Sequence, residues 1–235
     1  MRSRHLLIAS LVARRLARAT LVGALLTAAT LLGTARAAAQ EANSDGSFEV
    51  GLWKRLDPRD MLYFPFSITR ADAVDHAEGL AGASYDRVFG AWSARVGYRY
   101  LWELAPPVDV QPYREHRAVA ELFARPWPGA RFELLDRTRL ELRWVDGVPS
   151  WRLRNRLRAG RTIGIRRARS LLPYGSLEAT CDSRFRTVNR LRLSFGLAAK
   201  LSSRVLLDAY VAEQHDSRGD GAPLQSLGLT LNLTL

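Results

Sequence analysis

The feature that most constrains this chain is a period-two alternation of apolar and polar residues, which returns along most of its length. The clearest case is the thirteen residues from Trp92 to Leu104, where apolar residues alternate with polar ones except at Leu101. This period belongs to a β-strand, because successive side chains of a strand point to opposite faces. Soluble strands average roughly five or six residues, whereas strands that cross a membrane run to about 9–11. The pattern therefore favours long strands.

Similar segments recur at intervals separated by turn signals. They cover residues 48–56, 62–68, 118–124, 140–144, 151–159, 177–181, 191–197, 205–211 and 227–235. Asp57-Pro58-Arg59-Asp60 and Asp146-Gly147 are typical of tight turns, and the polar residues Arg70–Leu80 predict a long loop. We predict an all-β chain with a single antiparallel barrel of about ten strands, within a range of roughly eight to twelve.

The basic segment WRLRNRLR, residues 151–158, is the stretch most easily mistaken for a nucleic-acid-binding patch. A helix would spread its arginines around the cylinder and leave no apolar stripe. A strand puts all four arginines on one face, and the tryptophan and leucines on the other, with only Asn155 out of pattern. The turn Val145–Pro149 then pairs this strand with the alternating segment before it, so the arginines belong to a wall of the fold.

The N-terminal residues 1–39 have the form of a secretory signal peptide. Six arginines and no acidic residue accompany an apolar run, and the small residues that follow fit cleavage after Ala37 or Ala39. An uncleaved amphipathic helix or a mitochondrial presequence is the alternative. Of the formal charge of +12, residues 40–235 keep +6. Export argues against nucleic acid as a partner, and the single cysteine, Cys181, has no second cysteine for an intramolecular disulfide.

The charged face of these strands is the best candidate for a functional site. In a membrane barrel the apolar face meets lipid and the charged face lines the lumen; in a soluble barrel the faces are reversed. Seven arginines and three acids are predicted to line the lumen: Arg139, Glu141, Arg143, Arg152, Arg154, Arg156, Glu178, Arg190, Arg192 and Asp208. One interpretation is an ion-pair network that plugs the barrel. The other, based on the excess of arginine, is a narrow pore that attracts small anions.

Aromatic residues support the membrane interpretation. Trp92 and Trp102 lie at opposite ends of the longest alternating segment, and Trp144 and Trp151 flank the predicted turn. Tryptophan at strand ends on the lipid face forms the girdles of outer-membrane barrels; core aromatics are the alternative. The terminal LQSLGLTLNLTL predicts a last strand that closes the sheet and removes its exposed edges.

Catalytic chemistry has little support in the sequence. Residues 40–235 contain His76, His116 and His215 but no nucleophile motif such as G-x-S-x-G. His76 and His215 are expected in loops. The sequence shows neither a metal-ligand spacing nor a phosphate-binding glycine loop, and we therefore predict no cofactor. Basic residues in a predicted loop are candidates for contacts with lipopolysaccharide phosphates: Arg161, Arg166, Arg167 and Arg169.

The order of these features resembles a known bacterial family. Residues 151–158, Tyr174, residues 189–197 and residues 207–211 carry the resemblance, together with an early tryptophan, Trp53. The pattern is similar to the family catalogued as domain of unknown function 2490, whose members are described as outer-membrane β-barrels. The resemblance implies a fold and a location, and no activity.

We therefore predict that residues 40–235 form a barrel in the outer membrane, structural in role or a narrow anion-attracting pore, with outer-membrane lipid, lipopolysaccharide and small anions as partners. A lipid-modifying barrel enzyme and a soluble periplasmic barrel that binds a ligand remain as alternatives.

Overall fold

A computed structural model describes residues 44–71, 76–104, 112–166, 169–185, 187–217 and 223–235. The signal peptide predicted for residues 1–39 lies outside these ranges. No helix in the described ranges is long and apolar enough to cross a membrane.

All regular structure in the described ranges is β, as the alternation predicts. The strands are β1 (Ser44–Arg55), β2 (Asp60–Ala71), β3 (His76–Phe89), β4 (Trp92–Glu103), β5 (Arg114–Ala124), β6 (Phe132–Val145), β7 (Val148–Arg161), β8 (Ile163–Arg166), β9 (Arg169–Asp182), β10 (Thr187–Lys200), β11 (Val205–Asp216) and β12 (Leu224–Thr234).

Eleven of these strands form a closed barrel, with each strand paired to the next along the chain. Ten pairings are antiparallel, and the pairing that closes the barrel, of β1 with β12, is parallel over residues 44–53 and 225–234. Every hairpin reverses the chain, so an odd number of strands brings the first and the last together in the same direction. The prediction of a closed all-β barrel is confirmed, but the prediction that it is wholly antiparallel is wrong at this seam.

Two segments predicted as loops contribute strand structure instead. The described part of Arg70–Leu80 belongs to the ends of β2 and β3. The basic segment after the arginine strand contains β8, which continues along β9 beyond the end of β7. Arg161 therefore ends β7 and Arg169 begins β9, while Arg167 lies outside the described residues.

The tight turns form where the sequence predicts them. Asp146 and Gly147 have φ angles of 49° and 84°, the left-handed conformation that suits a two-residue hairpin and that Asp-Gly adopts readily. In the turn before β2, the Asp57 carboxylate accepts hydrogen bonds from the backbone N–H groups of Arg59 (2.7 Å) and Asp60 (2.9 Å). These bonds lower the pKa of Asp57, and the bond from Arg59 has the largest effect.

The two faces of the barrel differ in polarity. Along β7 the exposure of the residues alternates, with the arginines partly buried and the residues between them exposed. Large apolar side chains on the outer face are strongly exposed, including Val96 at 57%, Phe195 at 59% and Val211 at 56%. Many of the buried side chains are charged or polar. The apolar residues therefore face outward and the charged residues face the lumen.

Candidate functional site in the barrel lumen

All ten residues predicted to face the lumen do so, because the strand register keeps them on one face of β6, β7, β9, β10 and β11. Glu141, on β6, is fully buried and shows how they meet. Arg139 and Arg154 lie 3.4 and 3.6 Å from it, and Arg117 and Arg152 both lie at 3.9 Å. A single carboxylate is thus surrounded by arginines from three strands.

Six of the ten predicted residues belong to one continuous ion-pair network: Arg139, Glu141, Arg143, Arg152, Arg154 and Glu178. The other four lie outside it. Arg190 pairs with Asp216 at 3.0 Å, and Asp208 accepts a hydrogen bond of 2.8 Å from Tyr174. Arg156 and Arg192 make no ion pair with any described residue within 4.0 Å.

Three buried carboxylates of the network are missing from the sequence prediction: Glu115, Glu121 and Asp182, whose side chains are 0% exposed. Glu121 accepts from Arg139 at 2.7 Å and from Arg95 at 3.1 Å. These acids occupy the charged positions of alternating segments, so the same period-two count extended to every strand would have found them.

Glu115 and Asp182 close the network towards the end of the barrel that holds the Asp146-Gly147 turn. Glu115 accepts hydrogen bonds from Arg117 (2.8 Å) and Arg143 (2.7 Å), and Arg143 also reaches Asp182 at 3.1 Å. The Tyr113 hydroxyl donates to Glu115 from the loop before β5. Burial raises the pKa of Tyr113, and the hydrogen bond to Glu115 acts in the same direction.

Arg95 lies in the lumen towards the opposite end. Its guanidinium pairs with Asp86 at 2.9 Å and lies 4.9, 4.7 and 4.9 Å from the ring centroids of Trp53, Tyr63 and Phe123. Trp53 and Tyr63 stack at 4.4 Å. This arrangement combines cation–π contacts with an ion pair, and it connects the charged strands to β1 and β2.

The lumen is close to charge balance once every strand is counted. Among the inward-facing described side chains that are not exposed, there are twelve arginines and thirteen acids. The arginines are Arg95, Arg99, Arg117, Arg137, Arg139, Arg143, Arg152, Arg154, Arg156, Arg158, Arg190 and Arg192. The acids are Asp45, Glu49, Glu78, Asp86, Glu103, Glu115, Glu121, Glu133, Glu141, Glu178, Asp182, Asp208 and Asp216. The excess of arginine that motivated an anion-attracting lumen is therefore absent.

The four predicted girdle tryptophans occupy outward positions near strand ends. Trp92, 51% exposed, lies beside the turn between β3 and β4, whereas Trp144 and Trp151 lie beside the Asp146-Gly147 turn at the other end, 41% and 43% exposed. Trp102 is at that same end, where it stacks on Tyr100 with ring centroids 5.7 Å apart. Three of these tryptophans thus lie near one rim and Trp92 lies near the other.

The three described histidines each contact a different side chain. His76 lies 3.0 Å from Glu103, and His215 lies 2.6 Å from Glu213, while His116 contacts Tyr98 on the outer face. His76 and His215 lie at strand positions, so their placement in loops is wrong. In the described residues no serine hydrogen-bonds to a histidine, and no group of His, Cys, Asp and Glu side chains has the arrangement of a metal site.

Comparison with known proteins identifies a family. No curated protein matches the chain. A family model described as "Protein of unknown function (DUF2490)" matches residues 69–225, more than half of the chain and most of the barrel. The match spans β3 to the start of β12 and includes the arginine strand, and the chain therefore belongs to the DUF2490 family of proteins of unknown function.

Proposed function

We propose that this protein is exported and forms an outer-membrane β-barrel whose lumen is closed by its ion-pair network, so that its role is structural rather than conductive. The observation that carries the proposal is the reversed polarity of the barrel, with apolar side chains outside and buried charges inside. Such a surface suits lipid as its surroundings. The eleven barrel strands have 11–14 residues each, enough to cross a bilayer.

Closure of the lumen is supported from both ends. Arg95 and its aromatic partners fill one end, and the Glu115–Arg143–Asp182 group fills the other. Between these groups, Glu141 and Glu121 each contact several arginines. Arginine cannot lose its charge, so these pairs persist over the physiological pH range.

Membrane fractionation with heat-modifiable migration tests the location. We expect the mature protein in the outer-membrane fraction and a shift in gel migration on boiling, because a folded barrel resists detergent. Recovery in the soluble periplasm would overturn the membrane proposal and favour a soluble ligand-binding barrel.

Planar-bilayer recording tests the closed lumen separately. We expect no stepwise conductance from the wild-type protein. Charge reversal at Arg154, which pairs with Glu141 and Glu178, is expected to disturb the network and produce openings, whereas Arg192→Glu outside the network leaves the lumen closed. Wild-type conductance with anion preference would overturn closure and restore the pore interpretation.

Outer-membrane lipid is the partner that this proposal implies, with lipopolysaccharide phosphates as the polar contact. Arg161 and Arg169 are exposed near one rim, where their guanidinium N–H groups can donate hydrogen bonds to a phosphate. We expect the variant carrying Arg161→Ala and Arg169→Ala to fold normally and to bind lipopolysaccharide less tightly than the wild type in a pull-down. Unchanged binding would remove these arginines from the proposal.

A further inference from the structure

A cavity of about 80 Å³ remains in the lumen beside the ion-pair network. It is lined by Arg154, Arg156, Glu178, Arg192, Ser194 and Tyr210. Three of these side chains are positive and one is negative, so the cavity is locally basic although the whole lumen is nearly balanced. A volume of about 150 Å³ accommodates benzene, so this space suits a group of only a few atoms.

Two arginines of the cavity lack an ion-pair partner although the strand register places a carboxylate opposite both. Glu178 on β9 lies directly opposite Arg156 on β7 and Arg192 on β10. Its carboxylate is nevertheless occupied elsewhere, because Oε1 accepts from Arg154 and Oε2 accepts from Arg137 at 2.9 Å. The two arginines nearest to Glu178 in register are therefore left without it.

The remaining contacts of these arginines are weak. The Arg156 Nε donates to Ser176 at 3.4 Å, and the Arg192 guanidinium lies 5.7 Å from the Tyr210 ring centroid. Each guanidinium carries five N–H donors, and both residues are partly buried. A charge withdrawn from water without a counter-charge is unfavourable, so this pair of arginines is suited to bind an anion.

We infer that the cavity is a binding site for one free small oxoanion, held by the guanidinium groups of Arg156 and Arg192 with the Ser194 hydroxyl as a further donor. Oxoanions match the planar donor pattern of guanidinium groups. The site lies along the inner face of the strands, so phosphates of outer-membrane lipids are not its source. The inference concerns the lumen alone and does not depend on what surrounds the outer face.

Phosphate binding to the refolded full-length barrel tests this site. We expect saturable binding of inorganic phosphate in calorimetry, measured against chloride at equal ionic strength. Sulfate is expected to compete, and acetate, with two oxygens, is expected to compete less well. Arg156→Gln and Arg192→Gln should each weaken binding by about tenfold or more, because each removes a charge-assisted contact, and the double variant should not bind.

Arg190→Ala provides the matched control, because Arg190 lies on the same strand as Arg192 but pairs with Asp216 and does not line the cavity. We expect it to bind phosphate as the wild type does.

Heat-modifiable migration checks that each variant is folded. Because neither Arg156 nor Arg192 makes an ion pair, both glutamine variants should still show the migration shift. Absence of wild-type binding, or binding retained in a folded double variant, would overturn the site. If the double variant still binds lipopolysaccharide, that binding occurs on the outer surface. The phosphate measurement alone then decides whether the cavity is a site.

Discussion

The lumen has two walls built in different ways. On the charged wall, the inner faces of β3–β7 and β9, lie nineteen of the twenty-five unexposed inward-facing charged side chains. The small wall, the inner faces of β10–β12, β1 and β2, carries only the other six, and glycine, alanine, serine and threonine recur at its inward positions. A narrow barrel fills its interior with side chains, and arginines that extend from one wall leave little volume for the other. The contrast therefore reflects a division of the available space.

The two walls are also stabilised by different contacts. The charged wall depends on carboxylates shared by several arginines. The small wall depends on tyrosine rings that lie over glycines of neighbouring strands: Tyr210 covers Gly228, and Tyr174 covers Gly196. A Cβ added at Gly228 would lie 2.1 Å from the Tyr210 ring, so only glycine fits beneath it. Variants on the two walls should therefore fail for different reasons.

The closing seam, which lies in the small wall, offers the largest expected effect. Leu52 on β1 is paired with Leu233 on β12, and neighbouring strands lie about 4.8 Å apart, within the range for a disulfide. In a Cys181→Ser background, we expect Leu52→Cys with Leu233→Cys to cross-link almost completely on oxidation. Reducible gel migration measures the product.

A mismatched pair controls for this cross-link. Leu227 is paired with Gly46, six residues from Leu52 and roughly 20 Å away along the strand. Leu52→Cys with Leu227→Cys should stay uncross-linked. Equal cross-linking of the two pairs, or none in the matched pair, would contradict closure through this register.

Loss of a shared carboxylate should produce the largest change in stability. Glu121→Ala leaves Arg95 and Arg139 without their common partner, and removal of one member of a buried ion pair costs about 3–5 kcal/mol. We expect this loss in the free energy of unfolding, measured by urea titration with tryptophan fluorescence. On the small wall, Ser226 has a buried hydroxyl without a hydrogen bond, so Ser226→Ala should change the free energy by less than about 0.5 kcal/mol. Similar losses in the two variants would erase the distinction between the walls.

Packing on the small wall should give an intermediate effect. In Gly228→Ala the new methyl group displaces Tyr210, and overpacking of this kind costs about 1–3 kcal/mol. Gly164→Ala is the control, because nothing lies within 4 Å of its added Cβ. The same urea titration should show that Tyr210→Leu costs less in the Gly228→Ala background than in the wild type, since the two positions are in contact. Strict additivity would show that the ring does not depend on this glycine.

The sequence predicts the faces of the strands better than their number. The arginine strand is correct at every position, including Asn155, which faces outward and donates to Asp136 at 2.7 Å and Thr138 at 3.0 Å. Strand β3 is missed because its outward positions include Ala77, Gly79 and Ala81, which are too small to produce a clear apolar alternation. That omission matters, because one further strand makes the total odd and the closing pair parallel.

The sequence predicts which residues face the lumen but not which of them form pairs. A period-two pattern assigns each residue to a face, so the inward direction of Glu141 and Arg154 follows from sequence alone. Which carboxylate an arginine selects depends on distances across the lumen: Arg137 reaches Glu178 on β9 at 2.9 Å, although β6 and β9 are not paired in the sheet. Which charges pair, and the unpaired state of Arg156, could therefore be read only from the folded barrel.

Among the ion pairs, the smallest expected effect belongs to one near the rim of the small wall. Arg190 and Asp216 lie 3.0 Å apart, but their side chains are 35% and 31% exposed, so water and salt screen the attraction. Pairs of this kind contribute about 0–1 kcal/mol, and Arg190→Ala should reduce the free energy of unfolding by no more than that.

Arg143 on the charged wall is the buried counterpart, since it is 5% exposed and bonded to Glu115 and Asp182. Arg143→Ala should reduce the free energy of unfolding by about 3–5 kcal/mol. Urea titration at low and high salt separates the two, because salt should weaken the rim pair and leave the buried pair nearly unchanged. If the rim variant destabilised the protein as much as the buried one, the smaller cost expected for an exposed ion pair would be contradicted.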